Sequence, residues 1–280
     1  MVERAYMEII PTGTILERVV HLPRHSYVAI TCSPVHGIEP TLQLTAELRA
    51  LPEAHRLKLI PHIAARMVRD RGHLREVLAR LDELQVESVF VPGGDAPKPL
   101  GTYDCSLDLL RDMAEIGHRI EDVGVAAHPE GHPLVAPGEL TRLLLEKQRY
   151  ATYLVTQMCF DPEVLVDFLR RMRDAGVRLP AWIGLPGVAE LSKLIALSLR
   201  IGVGQSVRIL QKQKGLLRKL VSATPYQPDE LLAGIRAHLG EPDLDIPGFH
   251  LFSFNSIEKT EQWRLQVLRR LTAEPETVHV

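Results

Sequence analysis

Three cysteines in 280 residues, Cys32, Cys105 and Cys159, are too few and too scattered for a disulfide framework, and they suit a reducing compartment. No stretch approaches the ~18 uninterrupted apolar residues of a membrane span, and Met1-Val2-Glu3-Arg4 lacks the apolar core of an export signal. A cytoplasmic protein is expected. Neither sign of charge dominates, with 33 Lys and Arg against 35 Asp and Glu, so the chain has no electrostatic footprint for nucleic acid or an anionic membrane. Low-complexity segments are missing too. What the chain does have is apolar content, 45%, enough for one large core.

That content is organised. Eight short runs are rich in β-branched and apolar residues: Tyr6–Ile10, Tyr27–Thr31, Lys58–Ala65, Ser88–Gly94, Asp122–Pro129, Tyr153–Phe160, Ala181–Gly187 and Phe249–Asn255. Helix-spaced segments separate most of them, including Thr41–Leu51, Gly72–Leu84, Ser106–Ile116 with a Ser cap, Gly138–Tyr150 after Pro137, and Glu163–Ala175 after Asp161-Pro162. Strands alternating with helices at this period predict a parallel sheet, and eight units predict a single-domain (β/α)8 TIM barrel over 1–271 with a flexible tail at 272–280. Ala189–Leu239 is too long for one crossover and reads as extra helices between strands seven and eight, broken at Gly202-Val203-Gly204 and at Pro225–Pro228. Gly202-Val203-Gly204 follows a helix, so it fails the context of a dinucleotide fingerprint and reads as a helix–helix turn capped by Ser206.

In this fold chemistry gathers at the C-terminal rim of the strands. The candidates there are Glu8, Thr31, His62, Asp95, His128, Glu130, His132, Gln157 and Asp161. Glu8 is an acid inside an apolar strand, on the same side as Tyr6 and Ile10, and a desolvated carboxyl of this kind is either a general acid or the partner of a buried cation. Asp95 follows Gly93-Gly94, where it either accepts paired hydrogen bonds from a heterocycle or caps a helix. Gln157 is either a core amide bonded to backbone or a reader of ligand amides. His128 and His132 are four apart, but Pro129 and Pro133 forbid the helix that would align them, so no metal site is expected.

Taken together these residues resemble the methylenetetrahydrofolate reductase family. Gly93-Gly94-Asp95 stands against the family's Arg-Gly-Asp, Val125 to Pro133 against Val-Ala-Ala-Tyr-Pro-Glu-x-His-Pro, and Val155-Thr156-Gln157-Met158-Cys159-Phe160-Asp161 against Ile-Thr-Gln-x-x-Phe-Asp. Weaker echoes are Met7-Glu8-Ile9-Ile10-Pro11, Pro61-His62 and the ending Phe249–Asn255. The resemblance implies reduction of 5,10-methylenetetrahydrofolate to 5-methyltetrahydrofolate, in one-carbon metabolism and methionine biosynthesis, with NADH or NADPH as reductant. It implies a general acid at Glu8, catalytic and pterin contacts at Asp95, further substrate contacts at Gln157 and Thr31, and cofactor contacts at His62, His128, Glu130 and His132. Alternatives on the same barrel are a tetrahydrofolate-dependent methyltransferase and a non-catalytic folate-binding protein.

Departures from the family fall on the flavin side. Gly93 replaces Arg, His128 replaces Tyr, and the family's Asp, Asn, Arg and Lys in the helix after strand five read Glu139, Arg142, Leu145 and Glu146. Losing cations and gaining an acid removes charge-assisted phosphate bonds. The expectation is therefore a protein without tightly bound FAD, passing hydride directly from nicotinamide to folate, unless Arg142 and its neighbours rebuild a diphosphate site. Self-association is left open.

Overall fold

Each of the eight runs forms a strand in the computed structural model, which describes residues 2–52, 56–133, 135–200 and 225–273. The strands are β1 Ala5–Ile9, β2 Tyr27–Ile30, β3 Lys58–Pro61, β4 Ser88–Val91, β5 Asp122–Ala127, β6 Tyr153–Thr156, β7 Ala181–Pro186 and β8 Phe249–Phe252. Among the described residues the helices are α1 Ile15–Val19, α2 Glu39–Arg49, α3 Arg71–Glu83, α4 Ser106–Ile116, α5 Pro137–Lys147, α6 Pro162–Asp174, α7 Leu191–Arg200, α8 Asp229–Arg236 and α9 Ile257–Ala273. The order β3-β2-β1-β8-β7-β6-β5-β4, all parallel, bends into a nearly closed barrel of the (β/α)8 type. No described helix is long and apolar enough to cross a membrane.

The strands stop short of their predicted ends, and the reason is local. Past Pro61 the chain leaves the ladder for a 3₁₀ turn at Ala65–Met67, Pro92 has no N–H to give a neighbour, and Gly94 takes φ +96°, which favours glycine. Ser106 is not the cap of α4: Cys105 holds that position without a side-chain bond to the helix N–H groups, and Ser106 is the first helical residue. Asp161 caps α6 as its Asp-Pro start predicts, accepting from the N–H groups of Glu163 at 2.9 Å and Val164 at 3.4 Å. The turn read at Gly202–Ser206 lies outside the described residues; α7 and α8 supply extra helices before and after it. The last helix runs on through Ala273.

One seam is thin. β3 and β4 meet through a single bridge between His62 and Phe90, with Ile63 N–H donating to Phe90 O at 2.8 Å. The two following loops continue the closure: Leu100 N–H donates to Arg66 O and Thr102 N–H to Arg69 O, each at 2.8 Å. The Arg66 guanidinium donates across the same gap to the carbonyls of Ala96 at 2.8 Å and Asp104 at 3.0 Å. Gly101 lies so close to the Arg69 carbonyl that a Cβ there would fall 1.7 Å from its oxygen.

Side chains alternate along each strand. Outward residues such as Met7, Ile9, Val28 and Ile30 join the large core beneath the helices. Inward, Tyr6 stacks on Trp182 with ring centroids 3.8 Å apart, edge-on to Tyr153, and this aromatic group fills the lower barrel. Gly124 makes room for it, since a Cβ there would sit 2.3 Å from the Tyr153 ring.

Candidate active site at the barrel mouth

Two residues above Tyr6 on β1, Glu8 points the same way and enters a polar layer. Its Oε2 lies 3.0 Å from Nε2 of His250, which β8 brings in beside it. The Ser253 hydroxyl donates to the Glu8 carbonyl, tying the end of β1 to the loop after β8. His250 is 2% exposed and the Glu8 side chain 13%, so the carboxyl touches solvent from an otherwise buried setting. His62 faces the same space, its ring centroid 6.3 Å from that of His250. Burial holds its imidazole well below the usual range, so His62 is neutral. Nε2 of His62 and Nδ1 of His250 are buried with no hydrogen-bond partner.

The Glu8–His250 bond has two forms: a carboxylate accepting from Nε2–H, or a carboxylic acid donating to Nε2. The second has a proton to deliver. Donor atoms of Glu8, His62 and His250 lie within 4.8 Å of one another. A carboxylate with two imidazoles is a donor set that zinc accepts.

Around this centre the rim carries a second group. His128, Pro129, Glu130 and Gly131 form a tight turn closed by Gly131 N–H to His128 O, with Gly131 at φ +85°, and no helix crosses it. The His128 and His132 rings meet edge to face at 5.1 Å. Burial, then the neighbouring His132 and Lys147, push His128 down to about 4, which leaves it neutral. Asp95 is exposed near the start of the loop after β4 and interacts electrostatically with His132. It caps nothing, because α4 begins eleven residues later. Gln157 accepts the Met158 N–H on Oε1 at 2.8 Å, and its amide N–H groups have no acceptor among the described residues, so part of the side chain is structural and part is uncommitted. Thr31 follows directly after β2, its carbonyl accepting from the Thr41 hydroxyl at 2.8 Å.

Behind the His128 turn lies a pocket of about 240 Å³ between α5 and α6, lined in part by Glu130, Leu140, Leu144, Lys147, Phe168 and Arg171. On the outer side of α5, Arg142 bridges Glu139, at 2.6 Å, and Glu146, while Arg111 from α4 reaches Glu146 at 2.6 Å.

A family model described as Methylenetetrahydrofolate reductase matches residues 14–209, well over half of the chain. The chain belongs to the methylenetetrahydrofolate reductase family. The match takes in Thr31, His62, Asp95, His128, Glu130, His132 and Gln157; Glu8 and His250 lie outside it, and barrel closure brings these two together beside His62. This member of the methylenetetrahydrofolate reductase family thus pairs a half-buried acid on its first strand with a buried histidine on its last. Two residues escaped the sequence reading. His250 carried a signal, as the one ionisable side chain in the apolar run Phe249–Phe252. Lys147 carried a weaker one, a cation on the Leu140–Leu144 face of α5.

Proposed function

We propose that this chain reduces 5,10-methylenetetrahydrofolate to 5-methyltetrahydrofolate with a hydride taken directly from NADH or NADPH, without tightly bound flavin. The observation that carries the reading is the Glu8 carboxyl bonded to buried His250 at the mouth of the barrel. In its acid form Glu8 protonates the bridging nitrogen of the folate five-membered ring. The C–N bond breaks, leaving an iminium carbon. Hydride from the nicotinamide closes the reaction, giving a methyl group and NAD(P)⁺, and Glu8 regains its proton from solvent at its exposed edge. Asp95, Gln157 and Thr31 take the pterin in this scheme, and His62, His128, Glu130 and His132 face the hydride donor.

The family's flavin does not fit these residues. The four positions on α5 that would grip its ribityl chain and diphosphate hold Glu139, Arg142, Leu145 and Glu146; Arg142 is committed to the two acids, and Leu145 packs on the core. An ion-paired guanidinium between two carboxylates offers a diphosphate little net positive charge. Gly93 has open space where the family has Arg, so that cation is missing for no steric reason.

The test is NAD(P)H oxidation with methylenetetrahydrofolate by protein whose visible spectrum is recorded first. Colourless protein that turns over, is unaffected by added FAD and shows intersecting double-reciprocal lines supports the proposal. Parallel lines with stoichiometric FAD on denaturation refute the flavin-free part. No oxidation at all refutes the reductase and leaves a methyl-acceptor assay to identify a transferase.

A further inference from the structure

Helix α5 uses its basic residues in two different ways. Arg142 faces outward and is neutralised by Glu139 and Glu146. Lys147 lines the pocket together with Leu140 and Leu144, at the i, i+4, i+7 spacing of one helix face. Among the described residues no carboxylate lies within ion-pair distance of its ammonium and no acceptor bonds to it. Desolvation pulls its pKa down, and the titratable groups that interact with it are Cys105, His128 and His132, none of them a carboxylate. Arg171 of α6, exposed on the other side of the pocket, also lacks an acidic partner among the described residues. The one acid lining the space is Glu130, which also interacts with Cys159.

Half-buried Lys147 thus brings a cation with no anionic partner into a largely apolar part of the pocket, beside Leu140, Leu143 and Leu144. An anionic ligand group entering the pocket would supply the missing partner, and an ammonium is a point charge suited to phosphate. We infer that this pocket takes the diphosphate of the nicotinamide dinucleotide, with Lys147 as its inner cationic contact and Arg171 at its open side. This rests on direct hydride transfer, which requires the dinucleotide to occupy the barrel together with the folate. The place of anion binding on α5 has then moved from position 146, now an acid, to Lys147 on the pocket face.

The test is titration of the full-length protein with NADH, with ADP-ribose, which keeps the diphosphate and lacks the nicotinamide, and with mono- and triglutamyl folate. Lys147→Met should raise the Kd for NADH and ADP-ribose roughly tenfold or more, while folate affinity and thermal melting hold. Arg171→Ala, an exposed position, should give a smaller rise of the same kind, and it serves if Lys147→Met does not fold. Unchanged Kd for both dinucleotide probes in both variants overturns the inference, as does a loss confined to triglutamyl folate, which would assign the cations to the folate tail. Wild-type protein that binds neither NADH nor NADPH overturns direct hydride transfer itself, a result visible before any variant is made.

Discussion

The two halves of the barrel interior are built on opposite terms. Below, Tyr6, Trp182 and Tyr153 pack ring against ring, and the buried Tyr153 hydroxyl donates to the Val89 carbonyl at 3.2 Å. Above, two residues along β1, Glu8 meets two histidines that each keep a buried nitrogen without a partner. Unsatisfied buried nitrogens cost stability. A chain that fills its lower half with stacked rings and lines its upper half with ionisable groups has separated the residues that hold the barrel together from those available for chemistry.

Breaking the lower half should give the largest effect. Trp182→Ala removes the ring stacked on Tyr6, and the unfolding free energy measured in urea should fall by about 3–5 kcal/mol, with turnover per folded molecule retained. A rate loss matching the stability loss would show that the halves are not separate. Glu8→Gln probes the other half: kcat should fall ~10²-fold, about 2.7 kcal/mol of barrier, with folate affinity and unfolding midpoint little changed. Near wild-type turnover would remove Glu8 from the mechanism.

Smaller effects sharpen the division at the rim. Asp95→Ala and Gln157→Ala should each weaken folate binding by ~1–2 kcal/mol by calorimetry, because each strips a hydrogen-bonding group from the proposed pterin edge. Unchanged affinity in both would place the pterin elsewhere. The smallest effect concerns protons. His128 titrates near 4 when folded against an ordinary 6.5, and His62 is also held low, so the unfolded chain takes up these protons first. Their contribution to stability is full above about pH 6.5 and is lost as pH falls from there toward 4. Urea unfolding at pH 7.5 and pH 5 should show this loss, and His128→Gln should reduce it.

The strands were legible because a parallel sheet covered on both faces leaves near-continuous apolar runs with turn residues between them. Their ends were not, because past Pro61 and Val91 the chain keeps its apolar character while leaving the ladder, and composition does not record that departure. Glu8 stood out as an acid in an apolar strand. His250 did not, because its meaning depends on β8 lying beside β1, a contact 242 residues apart in sequence. Asp95 left a cap and a ligand contact both open, and the distance to α4 removed the cap. The ion pairs of Arg142 follow helical spacing and could have been read from Glu139 and Glu146. Lys147 required the packing of α6 to show which side of α5 is closed.

The thin β3–β4 seam has a consequence for how the ring breathes. Its ladder is one bridge long, continued by Ala65 N–H to Pro92 O and Arg66 N–H to Gly93 O, each at 3.0 Å, and then by the loop that carries Asp95, laid against the Arg66–Arg69 segment. That loop is therefore a clasp as well as a rim. Folate drawn against Asp95 would press the clasp shut, and the amide protons of Leu100 and Thr102 would exchange with solvent more slowly while it is held there. On the proposed folate contact, the substrate would latch the seam where the strand ladder is shortest.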